Sequence, residues 1–262
     1  RFCGIALGSG EPGDHSQSPP IPAVDVSEIM NSAWKIYTQE LGLMLGAVVI
    51  MMFAPLLVIL PCGIPVGIAA AFLQDEEALL LLLIPAALIF IPLFLAFAGA
   101  MQLGQTKLFL NIARGDGPSI TDIFWGFTAE GRPLILPAVL VMFAIGALTL
   151  IGSLLCCAPG LLVWLCSWLA LPLLVDRRLS GSDAIGQTIE FSKRDLGSIL
   201  AIGAIAYGVQ MLPQFIPYIG VILVLFALPL SQLLMVIGYL RLTQQPTQFE
   251  RWKGSPAPAS EA

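Results

Sequence analysis

The chain has 262 residues, of which 57% are hydrophobic and only 11% charged, and its formal net charge is −5. So apolar a composition excludes an ordinary soluble domain, in which about 25% of residues are charged. Nucleic acid is excluded as a partner, because nothing in the sequence supplies a basic face.

The first 23 residues (RFCGIALGSGEPGDHSQSPPIPA) are rich in Gly, Pro and Ser and read as a disordered tail without a cleavable signal peptide. The lack of an initiator Met suggests a fragment or a trimmed product. Residues 24–243 read as an all-α polytopic membrane bundle. Residues 244–262, ending SPAPASEA, read as a second disordered tail.

Four long stretches carry no Asp, Glu, Lys or Arg: Leu41–Gln74, Ala78–Thr106, Pro133–Val175 and Leu196–Leu240. A membrane span needs about 20 apolar residues, so the last two stretches each hold two spans and a turn. With one span in each of the first two, six are predicted: 42–61, 79–103, 134–156, 160–175, 198–213 and 218–240. Residues 63–73 are too short to cross, and either extend the first span or form an outer re-entrant piece. Pro and Gly cluster at the expected hairpin tips, around Pro61–Pro65, Ala158–Gly160 and Pro213–Gly220.

This arrangement puts all 12 Lys and Arg residues on one side, while the other carries only Asp75, Glu76 and Glu77. Basic loops are retained in the cytoplasm, so both termini are expected there. Arg177, Arg178, Lys193 and Arg194 would also suit anionic lipid headgroups, although the topology rule alone explains them.

A repeat underlies the pattern. Laying residues 182–200 on 27–45 without a gap matches Ser27 with Ser182, Glu28 with Asp183, and Leu41-Gly42 with Leu196-Gly197. A weaker copy starts at Thr121-Asp122-Ile123-Phe124. Each copy opens with a hydroxyl residue and an acid, which suit a helix start. Apolar residues then follow at helical spacing (Ile29, Met30, Ala33, Trp34 and Tyr37 in the first copy). Such a helix lies in the membrane interface, packs on protein, or simply begins the next span. The predicted fold is three repeats of interfacial helix plus helical hairpin, over about 24–106, 117–175 and 179–241.

Chemistry-bearing residues are few. The single histidine, His15, lies in the N-terminal tail, so no Ser/His or Cys/His pair is available. The five cysteines (3, 62, 156, 157 and 166) have no metal-ligand spacing. Cys62, Cys156 and Cys157 would lie near the outer ends of spans, where pairing of two of them and simple packing are both open. No catalytic, cofactor or metal residues are assigned. Asp176-Arg177-Arg178 closes the fourth span and is explained by local ion pairing. Gly115 is expected to end the helix that leaves the second span, with Pro118 preventing its continuation.

Candidate intramembrane polar groups are Gln102, Thr149, Ser153, Ser167, Tyr207, Gln210, Gln214, Ser231 and Gln232. Such groups mostly hydrogen-bond between helices. Tyr207, Gln210 and Gln214 form one helical stripe, the best candidate for a polar cavity. Proline residues 55, 85, 92, 137, 172 and 229 fall inside spans and can kink them or free carbonyls.

The runs Ala113-Arg114-Gly115 with Ser119 to Phe127 (SITDIFWGF), and Val175-Asp176 with Ser182 to Lys193 and Leu196-Gly197, resemble a group of uncharacterised bacterial six-span membrane proteins. That group is related to the membrane domain attached to some glycerophosphodiester phosphodiesterases, whose chemistry belongs to a separate barrel domain. The resemblance covers roughly residues 24–242. It implies a module of the bacterial cytoplasmic membrane without assigned catalytic residues.

Two functions follow as expectations. The first is a non-enzymatic scaffold or regulatory module whose partners are the lipid bilayer and another membrane or envelope protein. The second is a transporter or channel for a neutral or amphipathic small solute.

Overall fold

A computed structural model describes residues 26–73, 76–155, 157–216 and 218–254. The N-terminal tail expected over residues 1–23 lies outside the described residues, as do residues 255–262. Among the described residues every regular element is helical, and six segments are long and apolar enough to cross a membrane. They run Leu41–Phe72, Glu77–Arg114, Arg132–Leu155, Ala158–Arg177, Leu196–Phe215 and Ile222–Leu242. The protein is thus built as a multi-pass membrane protein.

Helix α1 (Val26–Gln39) precedes α2 (Leu41–Phe53) and α3 (Leu56–Phe72), of which α3 packs against α4 (Glu76–Arg114). A 3₁₀ helix (Ile120–Phe127) then leads to α5 (Ile135–Leu155), paired with α6 (Cys157–Cys166) and α7 (Ala170–Arg177). Helix α8 (Gly181–Arg194) leads to the third hairpin, α9 (Leu196–Met211) and α10 (Gly220–Leu242). At about 1.5 Å per residue the 21 residues of α5 reach about 31 Å, the thickness of a bilayer core. The 39 residues of α4 reach about 58 Å, so its last turns stand outside that core.

Those last turns are the centre of the molecule. Leu108, Phe109, Leu110, Ile112 and Ala113 are buried, with Leu233, Ile237 and Tyr239 of α10 and Leu173 and Leu174 of α7. Ion pairs join separate segments at the same end: Arg241 with Glu28 and Glu250, Arg178 with Glu130, and Arg251 with Asp116. The opposite end is open. Helix α3 buries no residue, and Leu81, Ile89 and Phe72 are largely exposed. Apolar surface of that kind is stable only in lipid or against another apolar face.

The helices preceding each hairpin turn their apolar faces mainly to protein. Ile29, Ala33, Ile36 and Tyr37 of α1 are buried, and the Tyr37 hydroxyl donates to the Phe226 carbonyl at 3.1 Å, three residues before Pro229. The middle element is a 3₁₀ helix rather than an α-helix. It meets α4 backbone to backbone at Gly126 and Gly104, where no side chain fits. The large apolar residues that they leave exposed are Met30 and Trp34, Phe124 and Phe127, and Ile189.

Local differences from the expected boundaries have identifiable causes. Residues 63–72 extend the first span within α3, after a turn at Pro55. The helix starts use Ser119 and Ser180 as caps, upstream of the expected Thr121 and Ser182, because Asp122 and Asp183 then sit three residues inside. Ser167–Leu169 is a 3₁₀ turn inside the fourth span, since Pro172 cannot donate to the Trp168 carbonyl. Gly115 does end α4, at φ 71°, with Asp116 N–H donating to the Asn111 carbonyl at 3.0 Å.

The C-terminal segment is the largest departure. Residues 244–254 are ordered rather than a tail, and end in α11 (Gln248–Gly254). Thr247 is fully buried and caps this helix through Glu250, whose other oxygen pairs with Arg241. Lys35 of α1 lies 4.3 Å from the Phe249 ring centroid. Low complexity in the sequence beyond Gly254 hides a short element that precedes it.

Candidate functional site

Two volumes are stacked along the seam between α4, α7 and α10. The first is a cavity of about 670 Å³ at mid-span. Gln102 and Thr106 of α4, Thr149 and Ser153 of α5, and Trp164 of α6 line it, followed by Ser167, Tyr207 of α9 and Gln232 of α10. All of these polar side chains are uncharged. Six of the nine intramembrane polar residues singled out in the sequence therefore converge on one space, although they come from different helices.

Gln210 and Gln214 do not line it. Tyr207 stacks on Trp164 with ring centroids 3.7 Å apart, whereas Gln210 is only partly buried and Gln214 is exposed. Gln214 falls off the expected stripe because α9 ends at Met211 and Pro213 tightens residues 212–215 into a 3₁₀ turn. A 3₁₀ turn rotates each residue further than an α-helix does, so Gln214 leaves the face of Tyr207.

Two of the hydroxyls are occupied locally. Thr106 donates to the Gln102 carbonyl at 2.8 Å and Ser167 to the Trp164 carbonyl at 2.7 Å. The Thr149 hydroxyl is buried and has no hydrogen-bond partner among the described residues. An unmet hydroxyl at this depth costs about 1–3 kcal/mol. The rim on the α5 side is made by Met142, Gly146 and Leu150, all exposed on the outer surface of the bundle. That side of the cavity opens on an apolar outer surface.

The second volume is a groove of about 1020 Å³ at the charged end. Its floor is a network from four segments. Arg114 at the end of α4 pairs with Asp176 of α7 at 2.5 Å, and both side chains are largely buried. Asp176 also accepts from the Tyr239 hydroxyl at 2.6 Å and the Gln245 amide at 2.9 Å. Arg114 donates in turn to the Gln245 side-chain carbonyl. Asp176 thus pairs across the fold, not locally with its neighbours as expected, and Arg178 likewise reaches Glu130 at 2.8 Å.

This network partitions the two volumes. Thr106 and Pro172 line the cavity, while Leu110 and Asp176, one turn on, line the groove. On α10, Val236 faces the cavity and the buried Tyr239, one turn later, reaches Asp176.

The four predicted headgroup residues separate. Arg177 and Arg178 line the groove. Lys193 lies at the edge of an apolar slot of about 450 Å³ between α5, α6, α8 and α9. Arg194 pairs with Glu190 on its own helix. Cys62 is a free thiol, half-buried beside α4; Cys156 and the Cys157 side chain lie outside what is described. Cys166 lines the apolar slot, also as a free thiol.

No family model matches the chain, and no curated protein or solved structure matches it either.

Proposed function

We propose that the protein binds a neutral or amphipathic molecule taken from the bilayer into the mid-span cavity and acts as a carrier for it. One observation carries this reading: uncharged hydrogen-bonding side chains converge on a space whose rim is an exposed, mainly apolar surface of α5, a surface suited to lipid. Pockets that bind small molecules are mostly apolar with a few convergent polar groups, and the aromatic pair Trp164–Tyr207 adds a flat apolar wall. The lining is suited to holding hydroxyl or carbonyl groups rather than to acid–base chemistry, so a non-enzymatic role is favoured. The charge asymmetry of the sequence supports placing the ion-paired end on the cytoplasmic side of the membrane, and the resemblance noted above implies the cytoplasmic membrane of a bacterial cell.

The test is mass spectrometry of amphiphiles retained by the protein purified in mild detergent. Gln102→Leu, Tyr207→Phe and Gln232→Leu together keep side-chain shape and remove three sets of hydrogen-bonding atoms. At about 1 kcal/mol each, retention of a specific amphiphile should weaken by about 100-fold. Equal retention by this variant would overturn the site.

A scaffold role has a separate observation behind it, the apolar surface of α3 with the first half of α4. Stoichiometric recovery of a membrane protein, lost when Leu57 and Leu81 are changed to Ser, would favour that role. Helix α8 packs on α5 and α7, so deleting it would remove part of the core rather than test docking.

A further inference from the structure

We propose that the groove at the charged end is a binding site for a phosphate-bearing anion, carried on a lipid headgroup or on a soluble molecule. The groove is lined by Lys107, Arg114, Arg177, Arg178 and Arg251 against three acids. Each acid already has its partner: Asp176 with Arg114, Glu130 with Arg178, and Asp116 with Arg251. Lys107 and Arg177 are left without an acidic partner among the described residues. Arg177 donates only to the neutral Gln187 at 3.0 Å and lies 5.9 Å from the Phe191 ring centroid.

Two cations without an acidic partner therefore line one water-accessible space larger than a phosphate group, the Arg177 guanidinium being held only by Gln187 and Phe191 of α8. Two positive charges match a phosphate monoester, which carries nearly two negative charges at neutral pH. The forked guanidinium of Arg177 can engage two phosphate oxygens at once, and Lys107 supplies a point charge on the same groove. Opposing them, α4 and α7 both end at this groove, and helix C-termini carry partial negative charge. The site therefore depends on both free cations, and loss of either should be felt strongly. Retaining basic residues on one side of a membrane needs only their sign; it does not require two unpaired ones to meet in a groove.

The test uses the full chain in nanodiscs of phosphatidylcholine. Native mass spectrometry follows addition of phosphatidic acid, and calorimetry follows addition of inorganic phosphate or glycerol phosphate. Wild-type protein should retain phosphatidic acid, or bind the soluble phosphates, at least about 10-fold more tightly than K107Q/R177Q, a loss of about 1.4 kcal/mol. Binding confined to phosphatidic acid assigns the lipid source, and binding of the soluble compounds assigns a free solute. Lys193→Gln removes one charge from the same end away from the groove and should leave affinity within about twofold. K107R/R177K keeps the charge and checks folding, and should retain binding. The proposal is overturned if wild type binds neither class, or if K193Q weakens binding as much as K107Q/R177Q.

Discussion

Replacing Asp176 with leucine is expected to destabilise the protein by about 3–5 kcal/mol, read as a fall in thermal unfolding midpoint in detergent. The carboxylate serves three donors from separate segments: Arg114, Tyr239 and Gln245. Without it, the Arg114 guanidinium is left largely buried and unpaired, and the Tyr239 hydroxyl loses its acceptor at a fully buried position. The C-terminal segment should loosen as well, because Gln245 is tied to both members of the ion pair. Removing both charges tests the cause. D176L with Arg114→Met replaces a buried pair by apolar side chains and should recover a large part of the loss. If D176L is as stable as wild type, the network is not the tie between α4, α7 and α10.

Gly104→Val should be at least as damaging, costing about 3 kcal/mol or more. A β-carbon at Gly104 would stand 1.7 Å from the Ile123 carbonyl oxygen, and one at Gly126 would stand 2.1 Å from that of Ala100. Both obstacles are backbone atoms, so no rotamer change relieves them, and α4 must separate from the 3₁₀ helix. Repacking there would also move Phe127 away from Phe97, whose rings lie 5.6 Å apart. Gly208→Ala, where nothing lies within 4 Å, is the matched control and should be neutral or slightly stabilising through helix propensity. Equal melting behaviour for the two would show that this contact is looser than described.

The spans were legible because charge is so costly in a bilayer that its absence marks them directly. Leu196 to Leu240 lacks any charged residue and indeed holds α9 and α10. Where the sequence reading fell short, the cause was a local break in α-helical phase or a contact over long sequence distance. Pro213 and Pro172 shift phase by 3₁₀ turns, so Gln214 leaves the stripe of Tyr207 while Ser167 lines the cavity. Asp176 looked like a member of a local charge cluster, yet its ionic partner is 62 residues away. Short signals do exist for α11: Thr247 with Glu250 is a capping pair, set against a polar stretch that otherwise resembles a tail. The polar composition of the cavity was readable residue by residue, but its assembly needed the packing of α4, α5, α6, α9 and α10.

The most direct measurement is photolabelling in nanodiscs with a diazirine-bearing long-chain alcohol, followed by peptide mapping. A cavity filled from the bilayer predicts saturable labelling of residues 102–106, 142–153, 164–172 and 207, competed by unlabelled alcohol and reduced by the Gln102→Leu, Tyr207→Phe and Gln232→Leu changes. Labelling confined to the outward faces of α3, α4 and α5, and insensitive to competition, would contradict it.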